Sequence, residues 1–168
     1  MNDFEKNITQ YWKESFPNVW SFLWSPEEAR KIPIEHKYQI HFLSKEGTEL
    51  VNRYLEASKM TRYFPYLPFK EHFKKIDKFH ITEGCSRQIK KWLHDRAIPV
   101  SQYVFVSNDR SGQAIMLTWK MVLEYWEGLF FAEDITIFDS SLDWGLFYYH
   151  EGDLFFGTKL VVDIKAKK

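Results

Sequence analysis

The chain predicts an α+β fold, a single domain in which an antiparallel sheet ending in C-terminal β-hairpins packs against several helices. Three observations carry that expectation. Before residue 99, apolar side chains recur mainly at the three- and four-residue spacings of helices. From Tyr103 onward they switch to the two-residue alternation of strands, with one aromatic helix in between. No Pro/Gly/Ser linker divides the 168 residues, so a helix-rich part (1–99) and a strand-helix-strand hairpin module (100–160) should share one core. A chain of this length can bury roughly two thirds of its unfolded surface. Aromatic residues make up 18%, a density that must either fill that core or line a contact surface.

In chain order, Phe4, Ile8, Tyr11 and Trp12 mark a narrow amphipathic helix over Asp3 to Phe16. Val19 to Trp24 reads as a strand. Ser25-Pro26-Glu27-Glu28 then supplies an N-cap, a proline at the first helical position and an early acidic residue, for a helix ending near Ile32, before Pro33. Tyr38, Ile40 and Phe42 or Leu43 suggest another strand, after which Ser44 caps a helix with Leu50, Val51, Tyr54 and Leu55 on its inner face. Pro65 and Pro68 make residues 62–68 irregular. Ile89, Trp92 and Leu93 form the core stripe of a helix starting near Ser86 and stopping before Pro99.

Tyr103 to Val106 and Ala114 to Leu117 are expected strands around a turn at Asn108-Asp109-Arg110-Ser111-Gly112. Thr118 should cap a helix whose broad face is Trp119, Val122, Leu123, Trp126, Leu129 and Phe130. Strands are then expected at about 134–139, 144–150 and 153–158. A polar turn, Asp139 to Asp143, joins the first two, and His150-Glu151-Gly152-Asp153 makes a tight hairpin between the last two.

Charge is segregated along the chain although it balances overall, with Lys plus Arg and Asp plus Glu at 23 each. That balance argues against nonspecific binding to nucleic acid or membrane through net charge. Between Met121 and Gly157 there is no Lys or Arg, while Glu124, Glu127, Glu133, Asp134, Asp139, Asp143, Glu151 and Asp153 are acidic. Lys70, Lys74, Lys75, Lys78, Arg87, Lys90, Lys91 and Arg96 make the preceding stretch basic. Mixed signs are usual on an inert surface, so this segregation points to function, against the plainer reading of a solvated face.

Catalytic and metal signatures are lacking. The six histidines show neither HExxH nor a short pair at metal-ligand spacing, and they read as surface or satisfied core residues. There is no phosphate-binding Gly-rich loop, G-x-S-x-G elbow or cofactor fingerprint. Cys85 precedes a helix, where a thiol can be activated, but a small buried residue is the simpler reading. A single cysteine excludes an internal disulfide and a cysteine-rich zinc site. No apolar run approaches a membrane span, and the N-terminus lacks the basic start and apolar core of a signal peptide, which places the expected protein in the cytosol. Trp119, Trp126 and Trp144 fall at inward positions, whereas Trp12, Trp20, Trp24 and Trp92 are candidates for exposed partner anchors.

The C-terminal run TWKMVLEYWEGLFF followed by DITIFDSSLDWGLFYYHEGDLFFG resembles the ending of small bacterial immunity proteins, including those paired with toxins of contact-dependent growth inhibition. In these a strand ending in an acidic residue, a W-x-L-x-x-x-H-E strand and a closing aromatic F-G strand recur. Asp139, Trp144, Leu146, His150, Glu151, Phe156 and Gly157 match that pattern, which covers roughly the last third of the chain and consists of packing residues. The resemblance implies a cytosolic inhibitor, not an enzyme, that binds and neutralises one cognate toxin domain. Many such toxins are nucleases, which must present a basic cleft to a phosphate backbone. An acidic, aromatic-rimmed surface complements such a cleft, so the eight carboxylates from Glu124 to Asp153 are expected to supply part of the toxin-binding face. The alternative is a nucleic-acid-binding or regulatory domain using residues 70–96, with Phe73, Phe79 or Trp92 as stacking partners.

Overall fold

The computed structural model describes residues 3–13, 26–108, 113–131 and 133–159. Its framework is a seven-stranded sheet, in the order β1-β4-β3-β5-β6-β7-β2, in which every pairing is antiparallel. The strands are β1 (Ile40–Phe42), β2 (Lys75–His80), β3 (Tyr103–Asn108), β4 (Ile115–Thr118), β5 (Ile135–Phe138), β6 (Trp144–Tyr149) and β7 (Asp153–Thr158). The α+β class expected from the pattern is the one observed.

Helices lie on both faces, which explains why the central strands are apolar at successive positions and not merely at alternate ones. On one face Val104, Val106, Ile135, Ile137, Leu146 and Phe156 pack under α5 (Ser86–His94), α6 (Trp119–Glu124) and α7 (Trp126–Leu129). The opposite face turns Phe105, Met116, Phe138 and Phe147 toward α1 (Asp3–Ile8), α4 (Lys45–Ser58) and the chain between Met60 and Phe73. Trp119, Trp126 and Trp144 are all buried, as their inward positions predict.

Local chemistry accounts for the boundaries. Ser44 Oγ accepts from Gly47 N at 3.3 Å to start α4, and Lys59, at φ 60°, closes it in the left-handed conformation. Along α4 the buried residues are Gly47, Thr48, Val51 and Leu55, with Leu50 and Tyr54 at the margin of the stripe. The first helix is shorter than expected: α1 ends at Ile8 and passes into a 3-10 turn at Thr9–Tyr11. The helix α2 (Pro26–Lys31) stops before Pro33 and is followed by α3 (Ile34–Lys37). Ser25, the Val19 to Trp24 strand, Trp20, Trp24 and residues 109–112 of the expected turn lie outside the described residues.

Two larger differences from the sequence reading concern the aromatic helix and an unexpected strand. The helix expected from Thr118 to Phe130 breaks at Tyr125 (φ −108°, ψ 22°) into α6 and α7. Across the break the contacts move along β6, from Trp119 against Trp144 at 5.7 Å to Phe130 against Tyr148 at 5.4 Å. Thr118 does not cap that helix with its side chain; its Oγ1 donates to Gln39 Oε1 at 2.9 Å. The second difference is β2, a strand that the basic composition of residues 70–80 conceals. It pairs along its whole length with β7, from Lys75 opposite Thr158 to His80 opposite Asp153, and forms one edge of the sheet. Charged residues are what an edge strand tolerates, because they discourage uncontrolled pairing.

At the other edge, His41 on β1 stacks on Trp12, with ring centroids 3.5 Å apart and planes 2° from parallel, and Tyr103 lies 5.9 Å away. Burial pushes its pKa down to about 4, against a smaller opposing contribution from the Tyr38 backbone.

Candidate functional site

Strand direction decides which acidic residues can act together. Ile135 lies opposite Tyr148 and Tyr149 opposite Asp153, so the start of β5, the turn at 150–152 and the start of β7 meet at one end of the sheet. Glu133, Asp134, Glu151 and Asp153 are therefore neighbours in space. Gly152, at φ +94°, makes the turn that brings β7 back, and Ile81 N donates to its carbonyl at 2.7 Å. That bond carries the chain after β2 across the same end into α5, where Ser86 Oγ lies 3.5 Å from Glu127 Oε1. Glu127 thus joins the group. Glu83, exposed in the loop between β2 and α5, also belongs to this end. Counting charges along the chain assigns Glu83 to the basic stretch, and only the pairing of β2 with β7 reveals its place.

Several of these carboxylates also hold the end together. Asp134 Oδ1 accepts from His150 N at 2.9 Å and meets the His150 ring Nδ1 at 2.7 Å, which ties the lead-in of β5 to the following hairpin. Asp153 meets Lys78 Nζ and His80 Nδ1, both at 2.8 Å. Burial pushes the Asp153 pKa up, but the bonds from Lys78 and His80 outweigh it and leave the carboxyl below its ordinary range. Glu133 accepts from the Asn108 side chain. Glu127 and Glu151 are exposed, and beside them Phe131 shows 56% of its surface while its carbonyl accepts from Tyr148 Oη at 3.1 Å.

The remaining three candidates lie elsewhere. Asp139 and Asp143 flank the turn between β5 and β6, at the opposite end of the sheet. Asp139 accepts from Trp144 Nε1 at 2.7 Å and from Ser141 N at 2.9 Å, and Asp143 lies 3.4 Å from Lys159 Nζ. Glu124 is exposed on α6. Of the eight carboxylates, five (Glu127, Glu133, Asp134, Glu151 and Asp153) share one end, and the set does not form one continuous face.

Cys85 is buried among the helices over one face of the sheet. Among the described residues no group of three or more His, Cys, Asp or Glu is arranged to hold a metal ion, and no helix is long and apolar enough to cross a membrane. The basic residues of 70–96 wrap around the β2 edge, with Lys70 and Lys74 on one side of the sheet and the exposed Arg87, Lys90 and Lys91 of α5 on the other. No protein-family model matches this chain, nor does any curated protein or solved structure.

Proposed function

We propose that this protein is an immunity-type inhibitor that binds a cognate toxin domain through the acidic end of its sheet, the toxin being a nuclease with a basic substrate surface. The observation that carries this reading is the convergence of Glu127, Glu133, Asp134, Glu151 and Asp153, drawn from three separate stretches of chain, beside the exposed Phe131. A field of one sign speeds encounter with an oppositely charged cleft, and a large apolar ring within it can anchor the complex once formed. The C-terminal resemblance to immunity proteins supports the same reading, since its matched residues His150 and Glu151 form part of this end.

The test is co-expression with the toxin domain encoded beside this chain, read by co-purification and growth rescue. Given a complex, Glu127→Lys combined with Glu151→Lys should slow association by about tenfold or more at low ionic strength, with the gap narrowing as salt rises. Asp143→Lys, at the far end of the sheet, should leave association nearly unchanged. Equal effects from the two ends, or none from either, would overturn the assignment. Failure to rescue growth or to form a complex would overturn the immunity reading itself.

A further inference from the structure

The second exposed apolar surface lies away from the acidic end. Among the described residues β2 closes the sheet, its six residues paired with β7 and with no strand on their other side. In an edge strand of this kind alternate residues direct backbone N–H and C=O groups outward. Beside that edge runs a groove of about 520 Å³, lined by Tyr66, Leu67, Lys70, Lys74, Ile76 and Phe155 among others. Tyr66 is 88% exposed, Leu67 46% and Ile76 39%, a concentration of large apolar side chains that isolated surface residues do not make.

Charge indicates what would cover it. Lys70 and Lys74 line the groove, and Lys78 Nζ lies 5.1 Å from the centre of the Phe155 ring. Across the edge, Arg87, Lys90 and Lys91 are exposed on α5, which Arg96 fastens to β2 through Asp77 at 2.8 Å. The carboxylates nearby are largely committed: Asp77 to Arg96 and Lys75, Asp95 to Lys91, and Asp153 to Lys78 and His80. Glu71 is the exposed exception, beside Arg62 on the far side of the loop.

We propose that the free edge of β2 and this groove take an extended acidic peptide segment, which adds to the sheet as an eighth strand. Strand addition satisfies the outward donors and acceptors of β2, and alternate side chains of the incoming segment would drop into the groove. Apolar ones meet Leu67 and Ile76, and acidic ones meet Lys70 and Lys74. A second copy of this chain is a poor occupant, because a two-fold contact between two β2 edges brings the basic patch of Lys70, Lys74 and Lys78 against the same patch of the other copy. A nucleic acid fits the lysines, but its phosphates are acceptors only and cannot satisfy the outward carbonyls of β2 as the amides of a strand do. The proposal goes beyond the toxin-binding reading and uses a different surface.

The experiment uses the whole chain and a short fluorescein-labelled peptide in which valine and glutamate take turns at every second position, with serine between them, so that both kinds of side chain can face the groove. Saturable binding is expected by anisotropy, with backbone amide NMR shifts concentrated in residues 66–80. Lys70→Glu combined with Lys74→Glu should weaken it by about tenfold, whereas Glu127→Lys with Glu151→Lys should not. A version of the peptide N-methylated at alternate residues, which leaves the protein untouched, should lose binding. Absence of binding, equal affinity for the N-methylated or a lysine/valine peptide, or shifts elsewhere in the sheet would overturn strand addition. Tighter binding of a labelled oligothymidine at the same residues would assign the surface to nucleic acid instead.

Discussion

Substituting Gly157 with alanine tests whether the packing of the C-terminal hairpin has the geometry described. Gly157 lies on β7, beneath the segment that covers one face of the sheet. A Cβ there would stand 2.1 Å from Phe73 Cδ2, 2.8 Å from Cγ and 2.9 Å from Cε2. Real Cβ atoms do not approach so closely, so the ring must move. It has little freedom to do so: Phe73 is 6% exposed, meets Phe69 edge-on at 5.0 Å and has the His72 ring 4.6 Å on another side. Overpacking of this kind costs about 1–3 kcal/mol and more when several ring atoms are hit, so Gly157→Ala should lose about 3 kcal/mol. Against a domain stability of about 5–15 kcal/mol this is large, and it corresponds to a fall in Tm of roughly 6–12 °C for a chain of this size. The assay is urea unfolding, with the midpoint falling at constant slope. Phe73→Ala should itself cost about 3–5 kcal/mol but vacate the space, so the added methyl should be nearly neutral in that background. Additive losses in the double variant, or a single-variant loss below about 0.5 kcal/mol, would refute the reasoning.

Two further predictions concern His41 and Asp139. His41 stays neutral in the fold, with a pKa near 4 against 6.5 when free, so between those values the unfolded chain binds a proton that the folded chain does not. Stability should therefore fall as pH drops from about 6.5 toward 4, by about 1–2 kcal/mol after allowance for partial exposure. His41→Phe should flatten that limb of the urea midpoint against pH, and an unchanged limb would remove His41 as its source. The depressed pKa of Asp153 acts in a separate window, its contribution being lost only as pH falls through values below about 4. Asp139→Ala should cost about 1–3 kcal/mol by thermal unfolding, because the indole N–H of the buried Trp144 loses its acceptor. Asp139→Asn, which keeps an acceptor oxygen, should lose less, and equal losses would show that the bond contributes little.

The C-terminal third was the most legible part of the chain. Its hairpins are local, their registers follow from the Asp139 to Asp143 and 150–153 turns, and side-chain alternation is maintained across all three strands. Helices α4 and α5 were readable for similar reasons, since the Ser44 cap of α4 and the apolar stripes of both helices are local in the chain. β2 was not, because Lys75, Lys78 and His80 dilute its alternation and its partner lies more than seventy residues away in β7. Missing β2 also hid the site. A count of charge along the chain places Asp139 and Asp143 beside Glu151 and Asp153, whereas antiparallel pairing sends them to opposite ends. The same count separates Glu83 from carboxylates that the β2–β7 pairing makes its neighbours. Sequence alternation can say which residues share a face; sharing an end depends on long-range strand order.

That strand order also explains how a chain with no formal net charge can present two strongly charged regions. The basic stretch enters the sheet as its last strand and the acidic stretch supplies β5 to β7, so the two signs meet along the β2–β7 pairing. At that seam Asp153 is bound by both Lys78 and His80, and Asp77 by both Lys75 and Arg96. His80 lies directly opposite Asp153 and Lys78 reaches it diagonally, so these contacts favour the observed β2–β7 register, whereas Asp77 is held within the basic stretch itself. The cations of α5 and of the 70–74 loop then remain beside a free strand edge, and the carboxylates of the turns remain at the sheet end. Segregation of charge in this protein is thus a consequence of how its last strand is attached, and each region keeps its own sign because the seam neutralises only what lies between them.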